Sequence, residues 1–207
     1  MAYQLEVIDL QNLPPASAVL SEREHAFYQT LKIPKRRAEW LGGRLALKKL
    51  LCAHLGGAWT DYTVLAPGGV GKPTVQMGGK PIHLSFSLTH SNGYAVAVLA
   101  PKAKYIGIDL EKITPRPNAW KDQFFHPSEL TADTDEFLTT LWTQKEALVK
   151  LLGSGLTVNT LDVRVVEGKP VLSGRALEIY TALGRPHITL ETRPLIPGFC
   201  CSVAVGR

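Results

Sequence analysis

An internal repeat constrains the fold of this chain more than any other feature of its sequence. Arg44–Leu51 aligns without gaps with Lys145–Leu152, and five of the eight positions are identical. Two further matching segments follow in the same order, at similar offsets. The first is a Gly-Lys-Pro tripeptide, at 71–73 and 168–170. The second is a Gly-aromatic pair ahead of a Val-Ala-Val run, at 93–98 and 198–205. We therefore predict two copies of one α/β unit, and a ligand site where the copies meet, because clefts between packed units favour ligands.

Hydrophobic periodicity divides each copy into helices and strands. The predicted strands are Tyr3–Ile8, His83–Leu88, Tyr94–Leu99, Tyr105–Leu110, Val163–Val166, Ile188–Thr192 and Cys200–Val205. The predicted helices are Ser21–Tyr28, Arg36–His54, Pro127–Leu130, Thr139–Leu152 and Ala176–Leu183. Ser21 is a suitable N-cap, with Glu24 at the reciprocal capping-box position. The predicted fold class is α+β, with similar halves at 1–103 and 104–207.

Composition narrows the classes of partner. The 207 residues carry a net charge of +5, and 1–103 hold 11 Lys and Arg against 6 Asp and Glu, whereas 104–207 hold 12 of each. A basic first half favours an anionic partner, either a phosphate-rich ligand, a nucleic acid or an acidic protein. The longest apolar run, Tyr94–Ala100, is too short to cross a bilayer, and no signal peptide is recognised. Three cysteines, two of them adjacent, make a poor disulfide framework and indicate a reducing cytoplasm.

Three carboxylates make a candidate metal site. Asp109 and Glu111 lie two apart on a predicted strand, so they share one face, where two like charges repel. Glu146 lies on a predicted helix one turn before Lys150, and it can be read as half of a surface ion pair. Alternatively it is a third ligand for a hard cation such as Mg²⁺, which would remove the repulsion. Lys150 would then face an anion bound to that ion.

Other residues are candidates for binding phosphate. Thr89 and His90 are expected at a strand end, before a Ser-Asn-Gly turn, although a lone histidine is more often structural. Arg37, Arg44 and Lys48 fall within about 40° on one face of a predicted helix; they either hold a phosphate or simply snorkel to solvent. The glycine-rich stretch at 68–73 is not a P-loop, because Pro73 follows its lysine. A nuclease is less well supported. Nucleases with a carboxylate pair often have an Asp followed by a Glu-x-Lys pattern, and Ile113 stands after Glu111 where that pattern needs lysine.

These motifs together resemble a known family. "GIDLE" (Gly107–Glu111) followed by "WTQKEALVKLLGSGL" (Trp142–Leu156) is similar to the paired motifs of the Sfp-type 4′-phosphopantetheinyl transferases. The motifs "RRAEWLGGR", "GKP", "FSLTHS" and "FFHPSEL" agree in order, so that the resemblance spans roughly residues 36–156. Members of this family are pseudo-twofold proteins of two similar halves, with the active site between them.

The resemblance implies an activity and assigns roles to the candidate residues. Such enzymes transfer the 4′-phosphopantetheine of coenzyme A to a serine of an apo acyl or peptidyl carrier protein, and release adenosine 3′,5′-bisphosphate. Mg²⁺ is required, although Mn²⁺ also suits oxygen ligands. The metal ligands would be Asp109, Glu111 and Glu146, and Glu146 and Lys150 would be catalytic. The residues that would bind the coenzyme's phosphates are Arg37, Arg44, Lys72, Thr89 and His90, together with Asp109 (through the metal) and Lys150.

The two fused copies favour a monomer, because the second unit is already covalently present, and we expect a cytoplasmic protein with no nucleic-acid or membrane partner. Two sequence departures affect the "FSLTHS" motif: Ser87 stands where the family often has Asn, and Thr89 where it often has Ser. Two alternatives stay open: a non-catalytic module that binds acidic carrier-like proteins, and a metal-dependent phosphodiesterase.

Overall fold

The computed structural model describes residues 3–66 and 71–207, apart from the side chain of Leu156. These residues form two compact units, which divide between Lys102 and Ala103. Each unit contains a three-stranded antiparallel sheet, one long helix packed on that sheet, and a smaller antiparallel sheet. The glycine-rich stretch predicted at 68–73 lies partly outside the described residues.

The first unit is built around one long helix. Its helices are α1 (Ala16–Val19), α2 (Glu22–Thr30) and α3 (Pro34–Leu55). Its strands are β1 (Gln4–Asp9), β2 (Tyr62–Leu65), β3 (Thr74–Met77), β4 (Lys80–Ile82), β5 (Ser85–Ser91) and β6 (Tyr94–Ala100). The main sheet has the order β1-β6-β5 and packs against α3, and a second sheet has the order β2-β3-β4.

The second unit repeats this plan. Its helices are α4 (Asn118–Phe124), α5 (Asp135–Leu152) and α6 (Gly174–Ala182). Its strands are β7 (Tyr105–Lys112), β8 (Val163–Val166), β9 (Lys169–Leu172), β10 (Ile188–Arg193) and β11 (Phe199–Gly206). The main sheet has the order β10-β11-β7 and packs against α5, and β8 pairs with β9.

The main sheets and long helices of the two units correspond. In both units the first strand is followed by the long helix, then by a smaller sheet of three strands (first unit) or two strands (second unit), then by two strands of which the last occupies the centre of the main sheet. The repeated segments Arg44–Leu51 and Lys145–Leu152 lie on α3 and α5. Gly93 and Gly198 immediately precede β6 and β11. The second Gly-Lys-Pro tripeptide enters β9, and the first leads into β3. The prediction of two copies of one α/β unit, and with it the α+β class, is confirmed.

A buried ion pair joins the long helix to the smaller sheet in each unit. In the second unit, Lys145 donates to Glu129 Oε2 at 2.8 Å, and the other oxygen of Glu129 accepts from the Val165 amide at 2.9 Å. In the first unit, Lys48 pairs with Glu24, whose Oε1 accepts from the Val64 amide at 3.0 Å. All four charged side chains have zero solvent exposure. The carboxylates occupy equivalent places, but the lysines differ by one helical turn, because Lys145 aligns with Arg44 rather than with Lys48.

The predicted elements agree with the structure in most places. The capping box of Ser21 and Glu24 forms as expected, and Asn92 adopts the left-handed conformation (φ 42°) that its turn requires. The helix predicted at Pro127–Leu130 is a single 3₁₀ turn at Pro127–Glu129, and α5 begins four residues before its predicted start. The sequence analysis missed α1, α4, β2, β3, β4 and β9.

Two further properties follow from the described residues. The thiols of Cys52, Cys200 and Cys201 are all free, in agreement with the poor disulfide framework of the sequence. None of the helices in residues 3–66 and 71–207 is both long enough and apolar enough to cross a membrane.

Candidate active site

The candidate site lies where β7 packs against α5 in the second unit. Asp109 lies between the buried residues Ile108 and Leu110, and only 6% of it is exposed. Lys150 donates to Asp109 Oδ1 at 2.7 Å and to the carbonyl oxygen of Ile108 at 2.9 Å. The ion-pair partner of Lys150 is therefore a strand carboxylate rather than Glu146, and the surface-pair interpretation of Glu146 and Lys150 is not supported.

A glycine allows this close contact between strand and helix. A Cβ at Gly107 would lie 2.0 Å from the carbonyl oxygen of Ala147 and 2.5 Å from the amide nitrogen of Leu151. Both atoms belong to the backbone of α5, so that no side-chain movement could relieve the overlap. Gly107 thus lets β7 approach the helix closely enough for Lys150 to reach Asp109.

Glu146 is near enough to the strand carboxylates to interact with their charges. Burial of this half-exposed side chain raises its pKa, the negative charges of Asp109 and Glu111 raise it further, and Lys150 opposes them. The sequence prediction that these three carboxylates share one region is consistent with this coupling. Glu111 is half-buried, and its Oε2 lies 3.8 Å from Nη2 of Arg116.

The donor set suits a hard divalent cation, since it consists of three carboxylates whose charges repel one another. No group of three or more His, Cys, Asp or Glu side chains in the described part of the chain is already arranged to hold a metal ion. Two of the three carboxylates contact cations: Asp109 contacts Lys150, and Glu111 contacts Arg116. Metal ligation by Asp109, Glu111 and Glu146 stays a prediction.

The first unit contains a counterpart of this site without its full charge. The helical alignment pairs Lys49 with Lys150, and Lys49 forms an ion pair with Glu6. The strand register agrees independently: Glu6 faces Ala97 across the sheet, Asp109 faces Ser202, and Ala97 and Ser202 lie at the same distance after the paired glycines.

The counterparts of the other two carboxylates are apolar. In the same alignments Ile8 takes the place of Glu111, and Leu45 takes the place of Glu146. Both side chains are buried in the first unit's core, at 7% and 5% exposure. Only the second unit therefore retains the charge set that would attract a divalent cation.

The predicted basic face of α3 is mostly occupied by contacts within the first unit. Lys48 is buried on Glu24, so the prediction that it belongs to an anion-binding stripe is wrong. Arg37 lies 4.4 Å from the centre of the Tyr28 ring, and Arg44 lies 3.9 Å from that of Trp40. Burial lowers the pKa of Arg44 to about 10, with the charge of Glu24 opposing that shift, so that its guanidinium is still charged at neutral pH.

Arg36 and His90 lie close together, where the start of α3 is beside the end of β5. His90 is exposed, and its Nε2 lies 3.2 Å from Nη1 of Arg36, while its Nδ1 lies 3.7 Å from Glu39. Thr89 is buried, whereas Lys72 is exposed. Phosphate binding by Arg37, Arg44, Lys72, Thr89 and His90 is untested by these contacts and stays a prediction.

Sequence reasoning did not select two cations that the structure places beside candidate residues. Arg36 lies against His90, and Arg116 lies against Glu111. Arg36 could have been chosen, because it lies next to Arg37 at the beginning of the same helix. Arg116 gave no periodic signal, because it lies in an irregular segment between two prolines.

Comparison with known proteins finds similarity to 4′-phosphopantetheinyl transferases. The model of the 4′-phosphopantetheinyl transferase superfamily matches residues 105–192. The 4′-phosphopantetheinyl transferase AcpT of Salmonella typhimurium is 32% identical over 57% of this chain and 60% of its own length. The 4′-phosphopantetheinyl transferase gsp of Aneurinibacillus migulanus is 25% identical over 90% of this chain and 76% of its own length. The resemblance inferred from the motifs is confirmed.

The matched regions differ in extent. The chain spans about three-fifths of the length of the Synechocystis and Salmonella relatives, which it matches at 29–32% identity. A solved structure described as a Chronobacterium ammoniagenes ACPS-CoA complex shares 20% identity over 50% of this chain and 96% of its own, with a TM-score of 0.41.

Proposed function

We propose an activity for this chain from its similarity to the 4′-phosphopantetheinyl transferases, whose superfamily model matches residues 105–192. The protein transfers the 4′-phosphopantetheine group of coenzyme A to a serine hydroxyl of an apo acyl or peptidyl carrier protein. Adenosine 3′,5′-bisphosphate is the other product, and the reaction depends on Mg²⁺, with Mn²⁺ as a substitute. The serine oxygen forms a new bond to phosphorus, the bond between the two phosphates breaks, and the serine proton passes to a base.

One observation carries this proposal: a strand carboxylate and a helix lysine, Asp109 and Lys150, are paired at 2.7 Å within reach of the charge of Glu146. These residues belong to the two motifs that resemble the family. Phosphoryl transfer requires positioning and charge stabilisation more than covalent chemistry from the protein. Carboxylates and a lysine in one place provide both.

The carboxylates and the lysine of the candidate site have different proposed roles. Asp109, Glu111 and Glu146 would hold the divalent ion, which when bound neutralises the diphosphate of coenzyme A. Lys150 stabilises negative charge on the diphosphate as the bond to the leaving group breaks. Glu146 either accepts the serine proton or orients a water that accepts it.

We assign the remaining phosphates of the coenzyme to basic and polar residues of the first unit. The residues proposed for this role are Arg37, Arg44, Lys72, Thr89 and His90, and Arg36 joins them because it contacts His90. The positive charge of residues 1–103 would attract an acidic carrier protein and raise its association rate. The protein would work as a cytoplasmic monomer, with no nucleic-acid or membrane partner.

A non-catalytic module that binds carrier-like proteins is the second candidate. It is favoured by the finding that no three potential ligands in the described residues already form a metal-binding group. Against it stands the retention of Asp109, Glu111, Glu146 and Lys150 in the second unit, because a protein that only binds a carrier needs none of them.

Mass spectrometry of carrier proteins tests the proposed function directly. A panel of apo acyl and peptidyl carrier proteins is incubated with this protein, coenzyme A and Mg²⁺. We expect at least one carrier to gain the mass of one phosphopantetheine, and we expect EDTA to prevent the gain. Unchanged masses across the whole panel, with an established transferase as the positive control, would leave the binding-module candidate in place.

Replacing Lys150 with alanine should reduce turnover more than substrate binding. Its amino group is assigned to charge that develops during transfer, so the expected result is a fall in kcat of about 100-fold with a change in KM below about threefold. Steady-state kinetics with coenzyme A as the varied substrate measures both constants. Lys49→Ala is the matched control, because Lys49 occupies the equivalent position in the first unit and should be dispensable for transfer. An effect confined to KM would contradict the assigned role.

A further inference from the structure

Arg116 contacts the candidate site without a role in the reaction described above. Its Nη2 lies 3.8 Å from Oε2 of Glu111, and its guanidinium carbon lies 5.0 Å from the centre of the Trp120 ring. The side chain is 27% exposed, so solvent reaches part of its guanidinium. Its Nε–H is buried and has no hydrogen-bond acceptor among the described residues. The contact between Nη2 and Glu111 is too long for a hydrogen bond, so the Nη groups retain donors that a bound anion could use.

The surroundings of Arg116 hold it in place without using its hydrogen bonds. Pro115 and Pro117 flank it, and both restrict the backbone, because proline fixes its own φ and excludes helical geometry from the preceding residue. Trp120 supports the guanidinium from α4, and its ring packs against Trp142 of α5 at 5.5 Å and against Phe125 at 4.9 Å between ring centres. Trp142 lies one helical turn before Glu146. An arginine positioned in this way loses little side-chain entropy when it binds a ligand.

The charge balance shows what the site gains from this arginine. Asp109, Glu111 and Glu146 contribute three negative charges when all are ionised, and Lys150 contributes one positive charge. A divalent ion would bring this set only to neutrality, which gives little attraction for a diphosphate. The guanidinium of Arg116 makes the loaded site cationic overall, as the binding of an anionic donor requires.

We propose that Arg116 binds the diphosphate of the coenzyme A donor, and that Glu111 holds its guanidinium until a divalent ion takes that carboxylate. This inference rests on the proposed function and adds a phosphate-binding residue to it. If Glu111 became a metal ligand, its contact with Arg116 would be lost, and the Nη groups would be available to an anion. The planar fork of an arginine can then contact two phosphate oxygens at once.

Two equilibrium measurements on Arg116→Met test the proposal with opposite expected signs. Methionine retains apolar packing on Trp120 but removes the charge. Mn²⁺ binding, measured from the electron paramagnetic resonance signal of the free ion without coenzyme A, should tighten by about threefold to tenfold because a competing cation is gone. Coenzyme A binding, measured by calorimetry with saturating Mn²⁺, should weaken by about 10-fold to 100-fold because charge-assisted hydrogen bonds are lost.

Two further variants serve as controls. Arg116→Lys keeps the charge but lacks the fork, so we expect its Mn²⁺ affinity to stay within about twofold and its coenzyme A affinity to be intermediate. Arg175→Met removes an exposed arginine of α6 that pairs with Glu178, and neither affinity should change.

Every outcome of these measurements decides something. Damage to the fold weakens both kinds of binding, so that a joint loss in Arg116→Met, or an unchanged coenzyme A affinity, overturns the role of Arg116 and leaves the proposed function standing. If the unaltered protein binds neither Mn²⁺ nor coenzyme A, the proposed function fails, and the inference about Arg116 fails with it.

Discussion

Asp109→Asn and Glu146→Gln will each reduce phosphopantetheine transfer by about 1000-fold or more, while the protein stays folded. Each change keeps the size of the side chain and removes the negative charge that a divalent ion requires from its ligand. In Asp109→Asn, the amino group of Lys150 also loses the carboxylate that holds it at 2.7 Å. Transfer is measured as the gain of phosphopantetheine mass on a carrier protein over time, with saturating Mg²⁺ and coenzyme A.

The first unit provides a matched control for these variants. Glu6→Gln changes the carboxylate that pairs with Lys49 at the position equivalent to Asp109 and Lys150. Its neighbours at the other two positions are Ile8 and Leu45, which cannot bind a cation, so transfer by Glu6→Gln should stay within about twofold of the unaltered protein. Urea unfolding of all three variants establishes that they are folded. Full activity in Asp109→Asn or Glu146→Gln would mean that the metal site has been assigned to the wrong residues.

Local sequence patterns were sufficient to select the candidate site residues, whose metal-binding and catalytic roles stay predictions. Alternation along β7 and the helical spacing on α5 identified Asp109, Glu111, Glu146 and Lys150, since each pattern depends only on neighbouring residues. The partner of Lys150 could not be predicted in this way. It depends on the packing of β7 against α5, which Gly107 permits, and Asp109 and Lys150 are 41 residues apart in the chain.

The short strands of the smaller sheets were also difficult to predict from local sequence. All four missed strands have only three or four residues, which leaves little of an alternating pattern to recognise: β2, β3, β4 and β9. One local signal was present, because Gly78 and Gly79 form a two-residue turn with positive φ angles of 56° and 79° between β3 and β4. A Gly-Gly pair between short apolar segments is a recognised hairpin signal.

Buried charges are the clearest case in which sequence misleads. Lys48 and Lys49 are adjacent on α3, and nothing in their local sequence distinguishes them. Lys48 has no solvent exposure and pairs with Glu24, whereas the side chain of Lys49 is 42% exposed and pairs with Glu6. The difference arises because Lys48 faces α2 and the end of α1, where it pairs with Glu24 and donates to the carbonyl oxygen of Val19 at 2.8 Å.

This pair of neighbours also provides the second large expected effect. Lys48→Met should lower the free energy of unfolding by about 3–5 kcal/mol, because it leaves the carboxylate of Glu24 buried without its counter-charge. Lys49→Met should lower it by no more than about 1 kcal/mol, because an ion pair near the surface is largely screened by solvent. Urea denaturation followed by circular dichroism measures both, and comparison of the slopes establishes whether the denatured states are equivalent.

The carboxylate of this pair should be more important to stability than the lysine. Glu24 accepts hydrogen bonds from the amides of Ser21 and Val64 as well as from Lys48, so that Glu24→Ala strands three donors, two of them on the backbone. Glu129 accepts from the amides of His126 and Val165 in the same way, although its lysine comes from the preceding turn of the aligned helix. The carboxylate and its two amide contacts recur in both units, whereas the position of the lysine differs. This indicates that the carboxylate stabilises the loop and the small sheet in each unit. We therefore expect Glu24→Ala to destabilise the protein more than Lys48→Met, and Glu129→Ala more than Lys145→Met. The reverse order in either unit would show that the lysine, not the amide-bonded carboxylate, is the main anchor.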